Sequence, residues 1–382
     1  MKKILYLISI SLGLLSCESG VNINIENSSN LDRSEIVEIP TKNLKKLSGE
    51  KSYTVTNING EIIASQVTYD GNLIFQAEVK ANGTSPYTIK AGDAETYPSQ
   101  TYGRFITERK DDFAWENDRV AFRVYGPALV ETDGPSNGVD LWYKRTNNLI
   151  IDKWYKDDIA GVQSYHDDHG EGLDDYKVGR TLGGGMMAPF KNGSLTLNEN
   201  FAKQEIFENG PLRTTFKLTY KDITVDGKTF SESRTISIDA GSQMTKVIQE
   251  YGTKDTLAVA AGIVKRAADD DAYTAYTESG VAAVIYEEPE SEKVGKVFVG
   301  MAFPKGVEDV ISHTYSIIHP KSQNEETHSH VLGVTSYYPG EPMTYYIGFG
   351  WEKFGYPTLG DFQNYMMQFT EALESPLVIK IL

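Results

Sequence analysis

The chain has 382 residues, 40% of them hydrophobic and 11% aromatic, enough apolar side chain for a large packed core. A formal net charge of −16 excludes a nucleic-acid binder, which neutralises phosphates with clustered Lys and Arg; an anionic substrate must instead meet a local basic cluster. The single cysteine, Cys17, excludes an internal disulfide.

At the N-terminus, Lys2 and Lys3 precede an apolar run from Ile4 to Leu15 that is too short to span a bilayer. Leu14-Leu15-Ser16-Cys17 then resembles a bacterial lipobox. Residues 1–16 are expected to be a lipoprotein signal peptide, and Cys17 the lipidated residue left after cleavage. That would anchor the protein to the cell envelope, at the outer membrane facing the periplasm or the cell surface. Residues 17–45, polar and rich in Asn, Ser and Glu, are expected to be a dispensable tether with little to bury. Residues 46–382 show no compositional break and are expected to form one catalytic domain.

Short alternating segments dominate the rest of the chain. Leu73-Phe75-Ala77-Val79 and Val120-Phe122-Val124 place every second residue on one face, and similar strands are expected at 213–220, 229–238, 245–251, 281–286, 297–303, 330–337 and 343–350. Turn signals such as Val225-Asp226-Gly227-Lys228 separate them. Phe362, Tyr365, Met366, Phe369 and Leu373 recur at helical spacing, so the segment that carries them is expected to be a helix. No fixed-period repeat and no βαβ alternation is visible, which points to an all-β chain folded as a large antiparallel sandwich with a C-terminal helix.

Two strands also carry polar residues in core parity. Arg123 and Tyr125 face away from Phe122 and Val124, while Glu232 and Arg234 share a face with Phe230 and Ile236. This fits either a wet concave cleft or a solvent face with cross-strand ion pairs.

The run Tyr165-His166-Asp167-Asp168-His169-Gly170-Glu171-Gly172-Leu173-Asp174-Asp175-Tyr176-Lys177-Val178-Gly179-Arg180 shows neither strand nor helix periodicity. It concentrates two histidines, two tyrosines, Lys177, Arg180 and five carboxylates, with glycines that let the backbone turn sharply. It reads as an active-site loop.

This loop, extended to Gly183, together with Trp115–Pro127, Gly138–Lys144 and Tyr345–Trp351, resembles a Bacteroidetes polysaccharide-utilisation family long catalogued only as a domain of unknown function. One member type of that family is an ulvan oligosaccharide dehydratase. The resemblance spans about residues 50–375. It implies a galactose-mutarotase-like super-sandwich and an acidic oligosaccharide substrate, with a non-reducing-end glucuronate or iduronate losing water to give a 4,5-unsaturated uronate.

Such a reaction needs a base for the C5 proton, an acid for the departing O4, and a cation on the carboxylate that otherwise keeps C5–H barely acidic. His166 and His169, with Tyr165 and Tyr176, are the candidates for proton transfer. Arg180, Lys177, Arg123 and Tyr125 are the candidates for binding substrate. No cofactor is required. A divalent ion is the alternative use of His166 and His169, or of His328-Ser329-His330, which puts two imidazoles on one face of a strand. The competing functions are a polysaccharide lyase using the same base and acid, and a non-catalytic glycan-binding lipoprotein.

Overall fold

The computed structural model describes residues 20–47, 49–50, 52–92 and 96–382. The signal segment and Cys17 lie outside them. The all-β class, the antiparallel sandwich and the C-terminal helix are as expected.

Two main cores organise the described residues. The smaller is a sandwich of two sheets. One runs Val378–Ile381, Gly20–Glu26, Thr84–Ala91, Tyr53–Thr56 and Ile62–Ile63; the other runs Arg33–Pro40, Asn72–Val79 and Ser65–Val67. Val21, Ile23, Ile25, Val37 and Ile39 are buried in it against Leu73, Phe75, Ala77 and Val79. Residues 20–45 are therefore not a tether. Their composition is polar because every second residue faces outward, and the alternation in Val21-Asn22-Ile23-Asn24-Ile25 was the signal of a strand.

The larger core lies between an eight-stranded sheet and two five-stranded sheets. The eight-stranded sheet includes Arg213–Thr219, Glu232–Asp239, Met244–Tyr251, Met343–Trp351 and Val297–Phe303 in adjacent positions. One facing sheet contains Asp112–Asn117, Ala121–Val124, Val139–Lys144 and Gly172–Asp174. The other contains Gly184–Lys191, Leu257–Lys265, Glu325–Tyr337 and Asp309–Ile318, and a bridge from Val139 to Gly183 joins the two. Trp115, Phe122, Tyr143, Phe216, Ile236, Phe349 and Trp351 pack between the layers.

The helix Leu359–Glu374 starts at a capping box formed by Thr358 and Asp361. It lays Phe362 and Met366 against Phe298, Ile285 and Ala302 on the outer face of the eight-stranded sheet. Gly350 lets it in: a Cβ there would stand 2.6 Å from the Phe362 ring.

The reverse face of Ala121–Val124 is neither a wet cleft nor a solvent face. The helix Ile151–Ile159 covers that sheet, and Trp142, Trp154, Tyr155 and Tyr165 form a third apolar cluster there. Glu116 receives the first amides of that helix, from Ile150 and Ile151, at 2.8 Å, and Lys144 Nζ at 2.7 Å. Glu232 and Arg234 likewise face inward as a buried pair 2.9 Å apart, with Arg234 also held by Gln249, Tyr220 and the carbonyl of Met187. Charges buried this deeply persist because each is paired and its remaining donors are satisfied.

Candidate active site

Asp174 lies opposite Trp142, whereas Gly183 bridges Val139, so the polar run from Tyr165 to Gly183 travels along the strand Val139–Lys144. At about 3.3 Å per residue, Asp174 and Gly183 are about 10 Å apart along that strand. The residues expected to converge are thereby divided into two groups.

In the first group the charges neutralise one another. Arg123 is 2% exposed and bonds Asp140 at 2.5 Å and Asp174 at 2.8 Å, so it has no face left for a substrate. Tyr125 packs on its guanidinium and donates to Asp140 at 3.3 Å. Tyr165 is buried against Trp142, with ring centroids 5.1 Å apart. His166 is exposed, its Nδ1 2.9 Å from the carbonyl of Asp174. His169 is exposed beside Asp167, Lys153 and Glu171 in a shallow depression. Lys153 pairs with Glu171, Arg145 with Asp168, and Lys293 reaches both Asp167 and Asp175. Among the described residues, Lys153, Arg145 and Lys293 at this end are all paired with carboxylates.

Tyr176 and Lys177 lie between the two groups in the chain. Tyr176 is buried beneath Arg266, which is paired with Glu288 at 2.6 Å. Burial drives its hydroxyl far above the ordinary phenol range, which leaves it a poor proton donor. Lys177 extends into solvent near Asp175.

Arg180 heads the second group and differs from the arginines around it. It is half-buried, and among the described residues no carboxylate pairs with it. Its Nη1 and Nη2 make only long contacts, at 3.4 Å, to the carbonyls of Pro135 and Leu197. Burial lowers its pKa, the opposite of what pairing does to Arg123, Arg234 and Arg266. Ser136 Oγ, donating to the carbonyl of Gly179 at 2.7 Å, ties the two loops on either side of this guanidinium.

The edge hairpin of the second five-stranded sheet completes the group. In its register His313 lies opposite His330, and Tyr315 opposite His328. All four side chains share a face, with Tyr315 ring centroids 5.7 Å from each of the three imidazoles. Tyr315 donates its hydroxyl to the carbonyl of Arg180 at 3.0 Å, so it positions the loop that carries the guanidinium. His330 is fully buried, accepts the amide of Leu182 on Nε2 at 3.1 Å, and is held neutral by burial at a pKa of about 3.

His328 is the less buried imidazole of the pair, its side chain 15% exposed. Burial, assisted by the charges of Arg180 and His319, holds its pKa below the ordinary value, against the opposing effect of Glu326 at 3.4 Å. Beside it, Gly179 sits at φ +59°, a conformation that favours glycine, and a Cβ there would meet His328 Cε1 at contact distance, 3.7 Å. His319, in the turn of the hairpin, accepts the amides of Lys321 and Ser322 on Nδ1 at 3.3 and 3.1 Å, which leaves Nε2 to carry the proton. The loop that touches Arg180 also reaches this imidazole: a Cβ at Gly134 would stand 3.5 Å from His319 Nε2.

This arrangement offers a neutral imidazole, a second imidazole that donates from Nε2, and an unpaired guanidinium around Gly134 and Pro135. The sequence pattern pointed to Arg180, and to His328 and His330 only as a metal pair. Among the described residues, no three His, Cys, Asp or Glu side chains are placed to hold a metal ion together. His313, Tyr315 and His319 were missed. The available signal was that four of the six histidines fall within residues 313–330.

A β super-sandwich with a histidine–tyrosine–arginine cluster at the edge of one sheet is the class of protein in hand. The chain belongs to the Domain of unknown function (DUF4861) family, whose model matches residues 25–379. It is 31% identical over 385 residues to "Uncharacterized protein P7" of Formosa agariphila, covering 94% of this chain and 93% of that one. Among solved structures, an alpha-mannosidase from Enterococcus faecalis superposes with a TM-score of 0.42 at 9% identity over 95% of this chain and 46% of its own. A GH36 alpha-galactosidase from Geobacillus stearothermophilus gives 0.30 at 10% identity, over 65% of this chain and 41% of its own. The chain spans less than half the length of either, and likenesses this distant say nothing of chemistry.

Proposed function

We propose that the protein is a dehydratase that removes water from the non-reducing-end uronate of an acidic, ulvan-type oligosaccharide. The observation that carries this reading is Arg180, a half-buried guanidinium with no carboxylate partner among the described residues, set beside two imidazoles. A guanidinium in that condition matches a carboxylate by a two-pronged contact. On that carboxylate it would draw charge from C5 and make the proton there removable. His328, held neutral, is suited to take the C5 proton. His319, with its proton on Nε2, is suited to hydrogen-bond O4 as the C4–O bond breaks, and the proton that His328 took from C5 passes to the departing oxygen. The electron pair of the C5–H bond then becomes the C4=C5 double bond, and water departs.

No step in this scheme calls for a cofactor. Lipidation of Cys17 would hold the enzyme at the cell envelope, where such oligosaccharides arrive.

Purified protein incubated with uronate-ended oligosaccharides should generate ultraviolet absorbance and a product lighter by one water with the same number of sugar units. Two shorter fragments would make it a lyase using the same base on a glycosidic leaving group. Unchanged ligand with measurable affinity would make it a binding protein.

A further inference from the structure

A cleft of about 350 Å³ separates the small sandwich from the large one, walled on the far side by the helix Leu359–Glu374. This volume falls in the range of small-molecule sites, roughly 300–1,000 Å³. Its floor is the outer face of the eight-stranded sheet, and the register there aligns one row across three adjacent strands. Ser237 lies opposite Lys246, and Lys246 opposite Tyr346. All three line the cleft and are half-buried, and among the described residues the Ser237 hydroxyl, the Lys246 ammonium and the Tyr346 hydroxyl have no hydrogen-bond partner.

Most of the surrounding charges are already matched, Glu371 on the helix excepted. Arg213 bonds both oxygens of Asp239, at 2.5 and 2.7 Å, and Glu38 at 2.6 Å, while Arg33 pairs with Glu35. Among the described residues, Lys246 is the cation of this lining with no carboxylate bonded to it. Tyr346 stays protonated, its pKa raised to about 12 by burial and the nearby carboxylates, so it too is a donor. Phe369 closes the wall against Tyr346 with ring centroids 5.1 Å apart, giving an apolar edge beside three polar groups. That combination suits a sugar ring, whose C–H face packs on an aromatic while one substituent takes the donors.

We infer that this cleft is a second saccharide site, which takes a sugar bearing one anionic substituent, a carboxylate or a sulfate, on Lys246, Tyr346 and Ser237. The inference rests on the carbohydrate class proposed above and on none of its chemistry.

Saturation-transfer NMR and calorimetry on Arg180→Ala protein would isolate this cleft from the candidate active site. Glucuronate, glucose 6-sulfate and glucose are the probes, and the acid that binds identifies the substituent. At least one acid should bind, glucose should bind more weakly, and Lys246→Met should weaken the acid by about tenfold or more while Lys246→Arg restores it. Tyr346→Phe, with the melting temperature unchanged, should weaken it as well. Binding that is indifferent to Lys246→Met, glucose bound as tightly as either acid, or no binding of either acid would each overturn the assignment. None of these outcomes bears on whether intact protein dehydrates a uronate.

Discussion

At the scale of single residues, the two ends of one loop differ in what their charges have left to offer. Replacing His328 or His319 by alanine should lower turnover by about a hundredfold or more, because one removes the base and the other the hydrogen-bond donor to the departing oxygen. Arg180→Lys should also reduce kcat/KM, since an ammonium cannot reproduce the fork. The same substitutions at His166 or His169 should leave turnover near wild type; loss of activity there would return the chemistry to the exposed end of the loop. Melting temperatures of all variants check that the fold survives.

The protonation of His328 gives a second test. Its pKa is depressed by burial and by Arg180, so the neutral base should persist below the ordinary value of about 6.5 and be lost only as pH falls through the depressed value. NMR titration of the His328 Cε1 proton should show this, and Arg180→Ala should move the midpoint upward.

His330 bears instead on stability. Its folded pKa of about 3 lies below the ordinary value of 6.5, so its contribution is fully present above 6.5 and is lost as pH falls towards 3. The slope is about 1.4 kcal/mol per pH unit in that window. His330→Leu should flatten the dependence of the urea midpoint on pH between 6.5 and 4.

At the scale of elements, the helix Leu359–Glu374 joins its local signals to its packing. Thr358→Ala removes the capping box and should cost about 1 kcal/mol. Gly350→Val should cost more, because the added atoms meet Phe362 and the helix must lift. Thermal denaturation of the two variants would rank them.

The same helix shows which elements the sequence announced. Phe362, Met366 and Phe369 recur at helical spacing because one face meets a sheet, and Leu73, Phe75, Ala77 and Val79 alternate because one face meets a core. Ala121–Val124 is buried on both faces, so its alternation was genuine but its second face was misjudged. Burial of Arg123 depends on Asp140 and Asp174, which lie 17 and 51 residues away and which no local pattern connects to it. Arg180 was legible as a glycine-flanked cation. Its lack of a carboxylate partner among the described residues, and the hairpin that faces it, are matters of register that the chain shows only when folded.

At the scale of the whole molecule, the strand Gly20–Glu26 lies between Thr84–Ala91 and Val378–Ile381. Deleting residues 20–45 should therefore unfold the small sandwich, exposing Leu73, Phe75 and Ile89 and promoting aggregation. Hydrogen exchange would show protection lost throughout 53–91; a deletion that left those amides protected would mean that the sandwich stands without its first two strands. Deleting residues 376–382 should loosen the same sheet, because Ile23 and Ile25 would lose the pairing to Ile381 and Ile379.

The pairing of Gly20–Glu26 with Val378–Ile381 also governs the order of events during biosynthesis. The first of these strands leaves the ribosome early and its neighbour emerges only after the entire large sandwich has been made. Until then, one edge of the small sheet offers unpaired amides and carbonyls to any other chain. Closing contacts between segments so distant in sequence is slow, so the interval in which nascent copies can pair with one another is set by the length of the domain inserted between them.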